Sequence, residues 1–308
     1  MVLEPMSGTP PVTIGMPIYN GEAYLRLALE SLLAQDYSDF ALIISDNAST
    51  DATESICREF AARDKRIDYH RNASNLGSAA NFNRVFQMSK SPYFMWAAHD
   101  DLWSPRYVSR CALALERNPS CVACLTGLGF IDEQGQKLDW DYAKYDNPDL
   151  TCPDMRERVR RLCSRSGWYG VYGLMRSAVL RQTSLFQEVY GPDLVLTLEL
   201  CLKGPFAKVS EELFYYRQYR TKKETDRAFN IRATAPIMAS RKDLRRSLLS
   251  TVDDACLGRL ARSQIKRDIR RTFLVSPLRP SMWLRIRGTM RVRTRLKKAW
   301  RRMRRVLG

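Results

Sequence analysis

The strongest constraint on the fold is an alternation of two periods. Between residues 12 and 101, short apolar runs alternate with segments of helical spacing, and the apolar runs end in polar residues. "VTIGMPIYN" (12–20) reads as a buried strand running into a turn. "GEAYLRLALESLLAQ" (21–35) places Tyr24, Leu25, Ala28, Leu29, Leu32 and Leu33 on one helical face. "FALIISDNAST" (40–50) is a second strand and "DATESICREFAARD" (51–64) a second helix. "RIDYHRN" (66–72), "GSAANFNRVFQMSK" (77–90) and "YFMWAAHDD" (93–101) continue as strand, helix and strand. Strands alternating with helices predict an α/β fold: βαβ units in a Rossmann-like, mostly parallel sheet flanked by helices.

In such sheets ligands bind beyond the carboxyl ends of the strands. The polar residues there are Pro17, Tyr19 and Asn20 after the first strand, Asp46 and Asn47 after the second, and His99, Asp100 and Asp101 after the fourth. Each has an ordinary reading beside a functional one. Adjacent Asp100 and Asp101 suit a hard cation such as Mg²⁺ or Mn²⁺, which takes few protein carboxylates and completes its shell with water and phosphate oxygens. They equally suit a cap for the helix that begins near Ser104. Asp46 is either a cap for the following helix or an acceptor for a base or ribose. Tyr19 either borders a base or packs.

Beyond residue 104 the alternation loosens. "SPRYVSRCALALERNP" (104–119) and "MRERVRRLCSR" (155–165) read as helices, and "SCVACLTGLGFIDEQGQKL" (120–138) as a strand and turn. "GPDLVLTLELCLKG" (191–204) has helical spacing with a Gly stop, and "FAKVSEELFYYRQ" (206–218) closes this part with a strand. The chain has no G-x-G-x-x-G after its first strand, no P-loop, no G-x-S-x-G elbow and no H-E-x-x-H helix. Dinucleotide, P-loop nucleotide, serine-hydrolase and zincin chemistry therefore lack their signatures.

"VTIGMPIYNGEAYLRLALESLLAQDYSDFALIISDNASTD" closely resembles the N-terminal segment of family 2 glycosyltransferases of the bacterial polysaccharide type. "NLGSAANFN" (75–83) and "MWAAHDDLW" (95–103) resemble that family's next two blocks, in order and at its spacings. The resemblance implies a GT-A fold, a nucleoside-diphosphate sugar donor and a divalent metal, Mg²⁺ or Mn²⁺. It carries Pro17, Tyr19, Asp46, Asn47, Asn81 and Asp100 to the nucleotide-sugar site, and Asp100 and Asp101 to the metal. The chain departs from the fullest form of these blocks at Asn47, Ala80 and Ala98. The family's inverting members place an acid near the start of a helix facing the acceptor. Asp193 answers to it, with Glu199 in reserve, and the cap reading of Asp193 stands beside that one. The activity implied is inverting transfer to a hydroxyl of a glycan or polyprenyl-linked acceptor. A second class stays open: a non-catalytic polyanion or nucleic-acid binder on a degenerate scaffold of this family.

The net charge of +17 is concentrated at one end. Residues 259–308 hold 18 of the 50 Lys and Arg and a single acid, Asp268, while residues 1–258 are balanced. The organisation expected is a catalytic part over 1–218 (donor half 12–115, acceptor half 116–218), a helical connector over 219–258 and a basic amphipathic extension over 259–308. In that extension Val292, Leu296, Trp300, Met303 and Leu307 recur at helical spacing among basic residues, which suits an anionic membrane surface better than nucleic acid. No window approaches the ~18–20 apolar residues of a membrane span, and the N-terminal residues lack a secretory pattern. The expected location is cytoplasmic, peripheral on the inner face of the membrane.

Overall fold

The computed structural model describes residues 10–138, 147–164, 169–219 and 241–275. The N-terminal half runs β1 (Val12–Ile18), α1 (Leu25–Leu33), β2 (Phe40–Asp46), α2 (Thr53–Arg63), β3 (Ile67–Arg71), α3 (Ser78–Met88) and β4 (Tyr93–Trp96). The remainder runs β5 (Leu102–Trp103), α4 (Tyr107–Arg117), β6 (Ala123–Ile131), α5 (Met155–Ser164), a 3-10 turn (Tyr169–Tyr172), β7 (Leu174–Arg176), α6 (Ser177–Leu180), α7 (Pro192–Lys203), β8 (Phe206–Arg217), α8 (Arg241–Asp254) and α9 (Arg259–Val275).

The eight strands form one sheet in the order β3-β2-β1-β4-β7-β6-β8-β5. β1 pairs in parallel with β2 and β4, and β2 with β3. The pairings of β7 with β4 and β6, and of β5 with β8, are antiparallel, while β6 and β8 run parallel. The expected mostly parallel sheet is thus parallel through the N-terminal half and mixed beyond it.

Side-chain alternation explains why the strands read as nearly continuous apolar runs. Val12, Ile14, Met16 and Ile18 of β1, with Tyr93 and Met95 of β4, enter one core beside α1, α2 and α4. Phe94 and Trp96 of β4 enter the other, beside α3, α5 and α7. Both faces are covered, so neither parity can be polar. Each fully buried large apolar side chain contributes ~1.5–3 kcal/mol.

Helices α8 and α9 pack on the sheet-bearing body. Leu244, Leu248 and Val252 of α8 and Ile265 and Ile269 of α9 are at most 1% exposed and belong to the second core. Asp268, the lone acid of the basic segment, pairs with Arg156 of α5 at 2.5 Å. The first seventeen residues of that segment are therefore part of the body. The stripe from Val292 to Leu307 lies outside the described residues. Cys57, Cys111, Cys163 and Cys201 are buried as the composition suggested, whereas Cys256 is exposed.

Candidate functional site at the strand ends

β1, β2 and β4 end at one edge of the sheet, as their parallel register requires: Pro17 lies opposite Ser45, and Ile18 opposite Asp46. Pro17 is buried and Tyr19 half-buried. Asn20 and Ala48 both turn through positive φ, at 50° and 60°. Their turns are stitched together by the Ser49 hydroxyl, which accepts from the Asn20 backbone N–H at 2.9 Å.

Asp46 is fully buried and its oxygens are engaged within the chain. Oδ1 accepts from the Ser49 backbone N–H at 2.9 Å. Oδ2 accepts from the Tyr69 hydroxyl at 2.8 Å and from Arg71 Nη1 at 2.7 Å. In this arrangement Asp46 presents Tyr69 and the exposed Arg71 at the surface rather than its own carboxylate. Asn47 accepts from Asn72 Nδ2 and the Leu76 backbone N–H, and donates to Asn75 Oδ1 and the Gly77 carbonyl. Asn81 accepts from the Ser45 hydroxyl and Asn72, and donates to the Ser45 carbonyl. Both amides are buried. They form a network that fixes the 72–77 loop against the strand ends, a positioning role that residue type alone does not reveal.

The fourth strand delivers the acid pair. Asp100 is 7% exposed and Asp101 1%. Their turn is held by Arg217, the last residue of β8 and itself 1% exposed. The Arg217 backbone N–H donates to Asp101 Oδ1 at 2.8 Å, its Nε to the Asp100 carbonyl at 2.6 Å, and its Nη1 to the Asp132 carbonyl at 2.8 Å. The guanidinium lies 4.4 Å from the centroid of the Tyr24 ring. Tyr219, whose ring also meets Tyr24, donates its hydroxyl proton to Asp100 Oδ2 at 2.5 Å. Burial, and then the charge of Asp100, push the Asp101 carboxyl well above the usual carboxylate range. His99 packs on the Gly21 backbone, where a Cβ would stand 2.6 Å from its ring.

Asp101 Oδ2 is buried and has no hydrogen-bond partner among the described residues. No group of three or more His, Cys, Asp or Glu is arranged for a metal among them either. A hard divalent cation fits this donor set: two carboxylates would hold it, and water and phosphate oxygens would complete its shell.

Asp193 stands in the first turn of α7. Gly191, in the left-handed region at φ 67°, and Pro192 at the first helical positions start that helix. Burial pushes the Asp193 carboxyl up to about 7. The Tyr172 phenol is pushed well up by burial first, then by the charges of Asp193, Asp101 and Asp100. Glu199 sits at the other end of α7, accepts from the Ser184 backbone N–H at 2.7 Å, and lines a cavity of about 630 Å³ with Ser250, Asp254 and Cys256. The structure does not bring it to the acid pair. Arg217, Tyr219, Tyr172 and Arg71 are the candidate-site residues that sequence reasoning missed; reading 206–218 as a closing strand did not indicate what Arg217 grips.

A Rossmann-like half joined to a mixed-sheet half, with an acid pair at the seam, defines the GT-A class of folds. The sequence model of Glycosyl transferase family 2 matches residues 13–182. The chain belongs to that family. It is 32% identical over 131 residues to an uncharacterized glycosyltransferase of Rickettsia typhi, covering 42% of this chain and 40% of the relative. It is 34% identical over 131 residues to the putative glycosyltransferase EpsE of Bacillus subtilis, covering 42% and 47%. The chain thus matches less than half the length of these curated relatives. Among solved structures, S. aureus TarS 1-349 in complex with UDP-GlcNAc superposes with a TM-score of 0.67 at 17% identity, covering 87% of this chain and 74% of that one. The mannosyltransferase PcManGT of Pyrobaculum calidifontis, in complex with GDP-Man and Mn²⁺, superposes with a TM-score of 0.54 at 15% identity, covering 96% and 84%.

Proposed function

We propose that this chain is an inverting glycosyltransferase that moves a sugar from a nucleoside-diphosphate donor to a hydroxyl of a glycan or polyprenyl-linked acceptor. The reading is supported by the buried acid pair Asp100–Asp101, with Asp101 Oδ2 left without a partner among the described residues, and by Asp193 in the first turn of α7, whose carboxyl burial pushes up to about 7. A base whose pKa lies near the working pH is suited to receive a hydroxyl proton.

The donor's nucleoside lies along the ends of β1 and β2, where Pro17, Tyr19 and the Asp46–Arg71 pair form the wall and Asn47 and Asn81 fix the adjoining loop. Its diphosphate lies at the Asp100–Asp101 turn. Mg²⁺ or Mn²⁺, when bound there, offsets the charge that develops on the departing diphosphate. Asp193 takes the proton as the acceptor oxygen attacks the anomeric carbon from the face opposite the leaving group, and the configuration inverts. The nucleotide sugars in the TarS and PcManGT structures, and the Mn²⁺ in the latter, support the choice of donor and metal.

The basic 259–308 segment is assigned to an anionic membrane surface on the cytoplasmic side. Its described part supports this with an outer face carrying Arg259, Arg267, Arg270 and Arg271 beside Leu260, which is 73% exposed. No helix among the described residues is long and apolar enough to cross a membrane.

The test is nucleoside-diphosphate release from a panel of UDP-, GDP- and dTDP-sugars, with Mn²⁺ and with chelator. Turnover with one donor, lost on chelation and in Asp100→Asn and Asp101→Asn, is the expected result. Metal-independent turnover that survives both substitutions would remove the acid pair from the reaction.

A further inference from the structure

We propose that Asn83 is a positioning residue for Asp193: its side-chain amide holds the segment from which α7 starts, and so sets the base relative to the strand that delivers the acid pair. This rests on the glycosyl-transfer reading and goes beyond it, because Asn83 acts through the backbone of Phe186.

Residues 182–191 join α6 to α7 without regular secondary structure. Backbone groups in such a segment need partners from elsewhere. Two side chains supply them. Asn83, on α3, accepts from the Phe186 backbone N–H through Oδ1 and donates to the Phe186 carbonyl through Nδ2, both at 2.9 Å. That is the pair of bonds a neighbouring antiparallel strand would exchange with Phe186. Glu199, on α7 itself, accepts from the Ser184 backbone N–H at 2.7 Å. Leu185, between the two held residues, sits at φ 56°. A bulky residue adopts that region only where its surroundings hold it there. The carboxylate that lies away from the acid pair thus has a role as the second half of a clamp.

The clamp seats an aromatic ring. Phe186 is 5% exposed. Its ring lies 4.5 Å from Phe82 and meets Trp96 edge-on at 5.0 Å. The Trp96 indole N–H donates to the Phe82 carbonyl at 2.9 Å. Trp96 is the last residue of β4 and stands just before the Asp100–Asp101 turn. From Phe186 the chain runs to Gly191 and Pro192, where α7 begins, with Asp193 in its first turn. α3 also carries Asn81, bound to Ser45 in β2. One helix therefore fixes the strand ends through Asn81 and the approach to α7 through Asn83. A planar amide with one acceptor and one donor fits the two Phe186 groups; a carboxylate lacks the donor and Leu lacks both. A reacting group displaced by about 1 Å loses ~10²-fold in rate.

The experiment compares the full-length wild-type chain with Asn83→Leu, which keeps the shape and removes both bonds, and Asn83→Ala, which leaves the Phe186 groups to water. The readouts are kcat and donor KM with the nucleotide sugar that the wild-type chain turns over, and amide hydrogen exchange over 182–196 and over 40–50. The expected result is kcat lower by about 10- to 100-fold in both variants, donor KM within about twofold of wild type, and faster exchange in 182–196 alone. Unchanged kcat overturns the proposal. So does a donor KM that rises as far as kcat falls, or exchange that quickens equally over 40–50, since either marks a general loosening of the nucleotide wall. A wild-type chain that turns over no donor would sink the transfer reading instead. Exchange over 191–196, where α7 starts, then decides the clamp alone: faster exchange in the variants supports it, and unchanged exchange overturns it.

Discussion

Replacing Asp193 with Asn should abolish transfer and stabilise the fold at alkaline pH. Burial raises this carboxyl from its ordinary 3.8 to about 7, so the folded chain binds its proton more tightly than the unfolded chain does. Below both values each state is protonated and nothing changes with pH. Between them the folded chain still holds a proton that the unfolded chain has released, so stability falls as pH rises. Above about 7 both states are ionised and the whole cost stands. At ~1.4 kcal/mol per tenfold change in proton affinity, the ceiling is about 4 kcal/mol. Asp193 keeps some contact with solvent, and a negative charge in the first turn of a helix recovers ~0.3–1 kcal/mol. The expected gain for Asp193→Asn is therefore about 1–3 kcal/mol at pH 8, and smaller at pH 5. Urea unfolding followed by tryptophan fluorescence at pH 5, 6, 7 and 8 reads it directly, since Trp96 and Trp103 are 0% and 3% exposed. Transfer in the variant should fall by ~10²–10⁴. A variant less stable than wild type at pH 8, or a gain that does not grow between pH 5 and pH 8, would refute the burial argument.

Arg217→Met strips the Asp100 and Asp132 carbonyls of their buried donor; a loss of about 1–3 kcal/mol is expected in denaturant unfolding. Arg217→Lys should not rescue it, because a single ammonium cannot serve the Asp100 and Asp132 carbonyls as a fork does. Tyr219→Phe removes the proton that occupies Asp100 Oδ2, and Mn²⁺ binding measured by electron paramagnetic resonance should tighten, by up to about tenfold; weaker binding would make the phenol part of the cation site. Gly173→Ala drives a methyl to 2.7 Å from the Cys124 carbonyl oxygen, and a loss of about 1–3 kcal/mol in thermal or urea unfolding is the expected outcome.

The N-terminal half was legible because β1, β2 and β4 are buried on both faces and each helix carries a single apolar face, so the two periods separate cleanly. The short strands β5 and β7 were not, since two or three residues carry no period. Helices α8 and α9 were hidden by composition: a basic segment reads as a solvated or membrane-bound tail, and a few positions such as Leu248 and Ile269 decide otherwise. At the candidate site, residue type and place at a strand end singled out Asp100 and Asp101, and the family resemblance singled out Asp193. Side-chain direction did not follow from either. Asp46, Asn47 and Asn81 look like ligand contacts in sequence, and the structure turns their polar atoms to Arg71, Asn72 and Ser45. Arg217 was invisible for a different reason. Its partners lie 116 and 117 positions away, and nothing local to a basic residue at a strand end names them.

That separation sets an order of events during synthesis. The strands of the N-terminal half are complete once residue 96 has been made, and their pairings are comparatively local. The acid turn cannot close until residue 217 has emerged and β8 has lain down beside β6 and β5. A ribosome-bound chain halted before that point would have the ends of β1, β2 and β4 in place and lack the anchored carboxylates. At roughly 5–20 residues per second, the interval between residues 96 and 217 is about 6 to 24 seconds.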